Sequence, residues 1–474
     1  MLRNASEGVI RVNRQNPHYF EYKGKEILLL TSAEHYGAVI NKAFDYKAYI
    51  DALAAFGLNY TRIYPGAFVL SRDQIRKDDI LSPGADLIVP WARSGEPGYI
   101  GGGNKFDLDR WDTEYFERLA DFIQYAANKG VIVEICFFNC QYVNSYPYSP
   151  FHESANVQGI GGSDYAAFQT LSDKRLLAEQ MKFIEKLITE TNHFDNVIYE
   201  FIDEPTIHGT KSSDAYPWIC ALIDRAVAVE DKLPKKHLLA QQIMQGVDYS
   251  EDDNIALLVA QYVDDRGLQI GGVSALNNFY RFQKPIEVNE TVSALSEPNY
   301  YERDMVESSR VESWEFMIGG GAAFNQLNAC FNVKNPSGDN PINHAILAGL
   351  RNLRSFLESM DYIKMTLDSK TIRAMSIGGR ISGISEPGKQ YAFYIHHCFT
   401  NFSRWRGTHY LPNFGDYRPT LTIHPDPGEY TVTFINPADL KVVSTAAITA
   451  GDAELDIACP AYTLDLAIKI IKKA

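Results

Sequence analysis

The sequence predicts an α/β fold: a TIM (β/α)8 barrel followed by a small C-terminal antiparallel β-sandwich. Three observations predict it. From residue 27 to about residue 360, extended apolar runs alternate with amphipathic runs. The apolar runs are continuous rather than alternating, which means burial on both faces, as in a parallel sheet. After Asp361 helical periodicity gives way to short Thr/Val/Ile/Tyr-rich runs between Gly/Pro turns, the pattern of a sandwich. About eight βα units fit a barrel with enlarged loops. The competing arrangement, an open doubly wound sheet, lacks a Gly-x-Gly-x-x-Gly turn after the first strand. Residues 1–365 are therefore read as the barrel domain, with an N-terminal hairpin, and 366–474 as the sandwich.

The elements follow in order. Val9–Val12 and Tyr19–Tyr22 flank Asn16-Pro17 and predict a hairpin under the barrel floor. Residues 27–31 predict the first strand. Asp45 reads as an N-cap, with Tyr46, Tyr49, Ile50, Leu53 and Phe56 at helical spacing until Gly57. Residues 58–64 predict a strand, and a Gly/Pro-rich loop runs to about 106. The helix 110–128 leads to the strand 131–138, and a second long loop reaches 170. The helix 173–191 leads to the strand 196–202, and the helix 214–230 to the strand 236–243. A short link without a clear helix leads to the strand 255–262. The helices 273–282, 301–318 and 343–360 alternate with the strands 285–289 and 322–327. The sandwich strands are predicted at 390–396, 417–423, 429–435, 442–448 and 464–471.

Composition excludes some functions. The chain of 474 residues carries 45 basic and 59 acidic side chains, a formal charge of −14. Without a basic stripe it is a poor partner for nucleic acid or an anionic membrane. No apolar run reaches the ~20 residues of a membrane span. The start of the chain has no apolar leader, so the expected location leans cytoplasmic. The six cysteines are scattered and read as buried free thiols. No cofactor and no metal site are expected, and nothing fixes the oligomeric state.

The chemistry is concentrated at two strand ends. Asn196–Pro205 is an apolar strand running into Asp203-Glu204 and stopped by proline. Lys284–Glu290 repeats the design and ends in Glu290. In a barrel, catalytic groups project from the C-terminal ends of the strands. These two lie on the fourth and seventh strands, opposite each other across the mouth. Paired carboxylates in that position suit cleavage of a glycosidic bond. A separation of about 5–5.5 Å retains anomeric configuration and about 6.5–9.5 Å inverts it. Retention is expected, with Glu204 as general acid then base and Glu290 as nucleophile. Glu287, in the same strand, is the rival to Glu290.

Residues 198–205 resemble the strand-four acid/base motif of the clan A (4/7) glycoside hydrolases, and 284–290 their strand-seven nucleophile motif. The resemblance is to cellulase-like members of family 5 and related uncharacterised glycosidases. It covers about three quarters of the chain. It implies a hydrolase acting on a β-linked oligo- or polysaccharide. Asn59-Tyr-Thr-Arg62 resembles the motif whose arginine supports the nucleophile, and Tyr262 resembles the strand-six tyrosine that hydrogen-bonds it. Ser32–Tyr36, with His35, resembles the first substrate-facing turn. One departure stands out. The family has Asn before the acid/base, bonded to the sugar 2-hydroxyl, and this chain has Asp203. An acid beside an acid raises a pKa by like-charge repulsion.

Further site candidates are Asn139 at the end of the third strand, Asn325 on the eighth and His208 after the acid/base loop, the last set against an ordinary exposed histidine. Tyr142, Tyr146 and Trp91 are candidates for stacking on sugar rings. Trp314, at helical spacing with Val311 and Ile318, reads as core. His396–Cys398 and 402–410 read as an interface with the barrel, or alternatively a carbohydrate-binding face. Two other functions remain open: a non-catalytic carbohydrate-binding barrel, and a metal-dependent lyase or isomerase, which needs a His/carboxylate cluster that the sequence does not display.

Overall fold

The computed structural model describes residues 2–34, 36–71, 85–206, 209–244, 246–261, 272–294, 304–400 and 410–473. Eight parallel strands form one sheet: β1 (Leu29–Ala33), β2 (Tyr60–Ile63), β3 (Ile132–Asn139), β4 (Val197–Asp203), β5 (Leu238–Gln242), β6 (Leu257–Ala260), β7 (Ile286–Ala294) and β8 (Ala323–Asn328). Each pairs with its neighbour in chain order from β2 to β8, and β8 pairs with β1. The β1/β2 seam is bridged by a side chain. Asn59 donates from Nδ2 to the Leu28 carbonyl at 2.8 Å, and its Oδ1 accepts from the Leu30 amide at 3.1 Å. The result is the TIM barrel that the continuous apolar runs predict.

The helices α1 (Tyr46–Ala55), α2 (Thr113–Asn128), α3 (Lys174–Thr191), α4 (Ser212–Glu230), α5 (Gly272–Phe279), α6 (Met305–Ile318) and α7 (Pro341–Glu358) surround the sheet. Side-chain caps start several of them. Asp45, Asp112, Asp173 and Asn340 each accept from amides of the first turn of their helix, satisfying donors that have no intrahelical partner. Among the described residues no helix lies between β5 and β6, as the short link predicts. The N-terminal segment forms an antiparallel sheet of Arg11–Val12, Phe20–Tyr22 and Lys25–Ile27. Its surroundings bond to Lys236 and Asp195, just ahead of β5 and β4, which places it at the barrel floor.

Two expectations need correction. The loop after β2 contains an unpredicted hairpin, Trp91–Pro97 with Asn104–Trp111. Trp91 is its anchor and not a stacking platform: it is 1% exposed and packs against Trp111, Phe151 and Phe183. Tyr146 is likewise buried and donates to the Gly161 carbonyl at 2.7 Å. It pins the loop after β3 rather than facing a ligand.

The C-terminal region is a six-stranded antiparallel sheet over a three-stranded one. The first is ordered Thr366–Leu367, Arg380–Glu386, Gln390–His396, Asp465–Lys472, Gly428–Ile435 and Val442–Ala450; the second Ile372–Met375, Thr420–Ile423 and Leu455–Ala458. Tyr391, Phe393, Ile395, Leu421, Val432 and Ile468 share the core of the two sheets. The six-stranded sheet also meets α6. Arg310 donates to Asp465 at 2.8 Å, and Tyr394 donates to the same carboxylate at 2.8 Å. Glu315, buried on α6, faces Arg380 at 2.6 Å, His396 at 3.1 Å and the Tyr410 hydroxyl. Burial alone would raise its pKa, but His396, Arg380 and Tyr410 hold it below the usual carboxylate range. Trp314 is fully buried between Phe356 and Tyr394. His396 thus belongs to an interface with the barrel. Residues 402–409 lie outside the described residues.

Candidate active site

The site is built from the C-terminal ends of β2, β3 and β4 and from the middle of β7, which runs on to Ala294 instead of ending at Glu290 as the sequence predicts. Side chains alternate across a strand, so Tyr60, Arg62 and Tyr64 share one face at and beyond β2. Arg62 is fully buried. Its Nε donates to Glu200 at 2.7 Å, Nη2 to Asp203 at 3.0 Å, and Nη1 to Tyr64 at 2.8 Å and Glu290 at 3.3 Å. Among the described residues no other Lys or Arg forms an ion pair with Glu134, Glu200 or Asp203. A cation this deep is tolerated because several carboxyl oxygens replace its water.

Glu290 occupies a bulge. Asn289 pairs with Asn325 and Thr291 with Gln326, so Glu290 is the extra residue in β7. Its φ is +22°, and that of Glu204 is +50°. Six described non-glycine residues have positive φ, and these two acids are among them. Such conformations are disfavoured for L-residues and cluster at functional sites. Both residues are only 5% exposed. Glu290 Oε1 accepts from the Tyr64 hydroxyl at 2.8 Å. Glu204 Oε2 accepts from Tyr142 at 3.2 Å and from the Cys140 thiol at 3.5 Å; its Oε1 accepts from Gln261 at 3.1 Å. The Glu204 amide donates to Gln242.

Asp203 connects the two acids. Its Oδ2 lies 2.7 Å from the Tyr64 hydroxyl and accepts from Asn139 at 2.8 Å. Contact thus runs unbroken from Glu290 through Tyr64 to Asp203, next in the chain to Glu204. Burial raises the Asp203 pKa far above the usual carboxylate range; Arg62 opposes this, and Glu290, Glu204 and Glu200 add to it. Around the mouth, Tyr36, Tyr64, Phe68 and Tyr142 form an aromatic wall, with centroid separations of 5.4 Å for Tyr36–Tyr64 and for Phe68–Tyr142.

The other candidates are dispersed. Asn325 lies in the barrel interior and donates to Glu287 at 3.3 Å. Glu287 is fully buried beneath the mouth. His35, His208 and Tyr262 lie outside the described residues. Among the described residues no group of three or more His, Cys, Asp and Glu could hold a metal ion, and no helix is long and apolar enough to cross a membrane. Sequence reading missed Tyr64, Gln261 and Cys140. Tyr64 had a signal: it stands two residues after Arg62, on the same face.

Below the site lies a second carboxylate layer. The Tyr60 hydroxyl is 2.7 Å from Glu134 and 2.8 Å from Glu287. One phenolic proton cannot serve two ionised acceptors, so Glu134 or Glu287 carries another. Burial raises both groups. Glu287 is pushed up to about 7, with Glu200 adding to the rise and Arg62 opposing it. A raised folded-state pKa means that the native barrel binds the proton more tightly than the unfolded chain. The stability this contributes is present in full below pH 4.5, the ordinary glutamate value, and is lost as pH rises through about 7. Glu287→Gln keeps the shape without the titration. Its melting temperature is expected to fall less than that of the wild type between pH 5 and 8, by a few degrees. Parallel curves would refute this.

No family model and no curated protein matches the sequence. Solved structures do match. A structure named "putative glycoside hydrolase" from Bacteroides vulgatus ATCC 8482 aligns at TM-score 0.63 and 12% identity, over 99% of this chain and 83% of that one. A family 5 glycoside hydrolase from the same organism aligns at TM-score 0.60 and 10% identity, over 98% and 94%. Another glycoside hydrolase aligns at TM-score 0.60 and 10% identity, over 98% and 97%. From end to end, this chain therefore has a fold similar to those of glycoside hydrolase structures that include a family 5 member.

Proposed function

We propose that the protein is a retaining glycoside hydrolase acting on a β-linked glycan or glycoside. The observation that carries the reading is that Glu204, at the end of β4, and Glu290, in β7, both lie within electrostatic reach of Asp203 and of Tyr142. Glu290 is the nucleophile, held by Arg62 and Tyr64. Glu204 is the general acid, then the base. The Tyr142 hydroxyl beside it can donate to an ionised carboxylate or accept from a protonated one, which suits a group that changes role between steps. Of the aromatic wall, Tyr36 and Tyr142 keep partial exposure and offer faces for a sugar ring. In this reading residues 1–365 carry the chemistry and 366–474 brace α6.

The test is hydrolysis of a panel of aryl β-glycosides and polysaccharides, with the first product anomer read by NMR. The expected product keeps the configuration of the substrate. An inverted product would overturn the double displacement, and no cleavage of any substrate would overturn the hydrolytic reading.

A further inference from the structure

The proton inventory around Tyr64 is short by one. Its hydroxyl lies 2.7 Å from Asp203 Oδ2 and 2.8 Å from Glu290 Oε1, and it accepts from Arg62 Nη1 at 2.8 Å. A phenol has one proton to donate. With both carboxyls ionised, one of these contacts would set oxygen lone pairs against each other inside a buried site. Such an unsatisfied contact is costly where water is excluded. A second proton therefore belongs to the group.

Asp203 is where it fits. Asp203 is fully buried, while Glu290 keeps a little exposure at the mouth. Acidic neighbours face Asp203 from β4 and β7: Glu200, Glu204 and Glu290. The thiols of Cys136 and Cys140 face it from β3 and its end. Against them stands Arg62, which also binds Glu200 and Glu290. With the proton on Asp203 Oδ2, every contact has a donor and an acceptor. Oδ1 accepts from Arg62, Oδ2 accepts from Asn139 and donates to Tyr64, and Tyr64 donates to Glu290.

We propose that Asp203 is a neutral carboxylic acid in the resting protein, a positioning residue that donates to the Tyr64 hydroxyl and so aims that hydroxyl's proton at Glu290. A neutral acid has the shape and the donor of an amide, so Asp203 can stand where the resembled family carries Asn. Of the two carboxyls, Glu290 is left ionised, as a nucleophile requires. This consequence for catalysis rests on the hydrolytic reading; the proton itself does not.

Infrared difference spectra of the resting protein at pH 7 provide the test. Wild type minus Asp203→Asn is expected to show a protonated-carboxyl C=O band that shifts in D2O. Loss of an ionised carboxylate band instead would overturn the assignment, as would loss of the protonated band in Glu290→Gln rather than in Asp203→Asn. Should Asp203→Asn fail to fold, the wild-type protein at atomic resolution decides. Unequal C–O bond lengths in Asp203 support the acid, and equal ones refute it. Both measurements need no turnover, so an absence of glycoside cleavage would remove the proposed function and leave this assignment standing.

Discussion

Glu290→Gln is expected to lower kcat/KM by at least about four orders of magnitude on every substrate, because the amide cannot form the glycosyl ester. Glu204→Gln is expected to behave differently. It should lose about 10²–10⁴-fold on substrates whose leaving group needs a proton, and far less in the first step on an activated aryl glycoside. Both substitutions preserve volume, so circular dichroism and melting curves should stay near wild type. Separate roles for the two acids predict this divergence with leaving group. Equal losses on all substrates would contradict the assignment of acid and nucleophile. Near-normal rates in both variants would end the hydrolytic proposal.

The second large effect concerns stability. Arg62→Met should destabilise the fold by at least about 3–5 kcal/mol, the usual cost of stripping one partner from a buried ion pair. Against a total of about 5–15 kcal/mol, that is enough to leave much of the protein unfolded or insoluble. Arg62 contacts Glu200, Asp203, Tyr64 and Glu290 from one position, and methionine replaces none of those donors. Adding Glu200→Gln to Arg62→Met should restore part of the loss by removing one uncompensated charge. Urea melts of the single and double variants measure both effects. A loss below about 1 kcal/mol for Arg62→Met would show that the carboxyls do not depend on the guanidinium.

The barrel was legible because its strands are buried on both faces and read as unbroken apolar runs. The start of α1 was legible because an acidic cap announces it, at Asp45. The Trp91–Trp111 hairpin was not, because Trp91–Pro97 and Asn104–Trp111 are mostly polar, and their register is irregular. Their pairing is set by how Trp91 packs on distant Phe151 and Phe183. A strand end marked Glu204, whereas Glu290 lies inside β7, which continues to Ala294. The bulge at Glu290 was hidden, since it exists only in the register between β7 and β8. The displaced proton affinity of Asp203 could not be read from its acidic neighbour alone. It depends chiefly on burial, with contributions from groups on several strands.

Arg62 has a consequence for how the chain assembles. Its acidic partners come from β3, β4 and β7, and its own strand is β2. A half-formed sheet holding β2 without β7 would bury this cation before its full set of counter-charges had arrived. Incomplete intermediates are therefore penalised, and the cylinder should close in a single cooperative step rather than by stable halves. Fragments split between β4 and β7 should not persist as independently folded pieces.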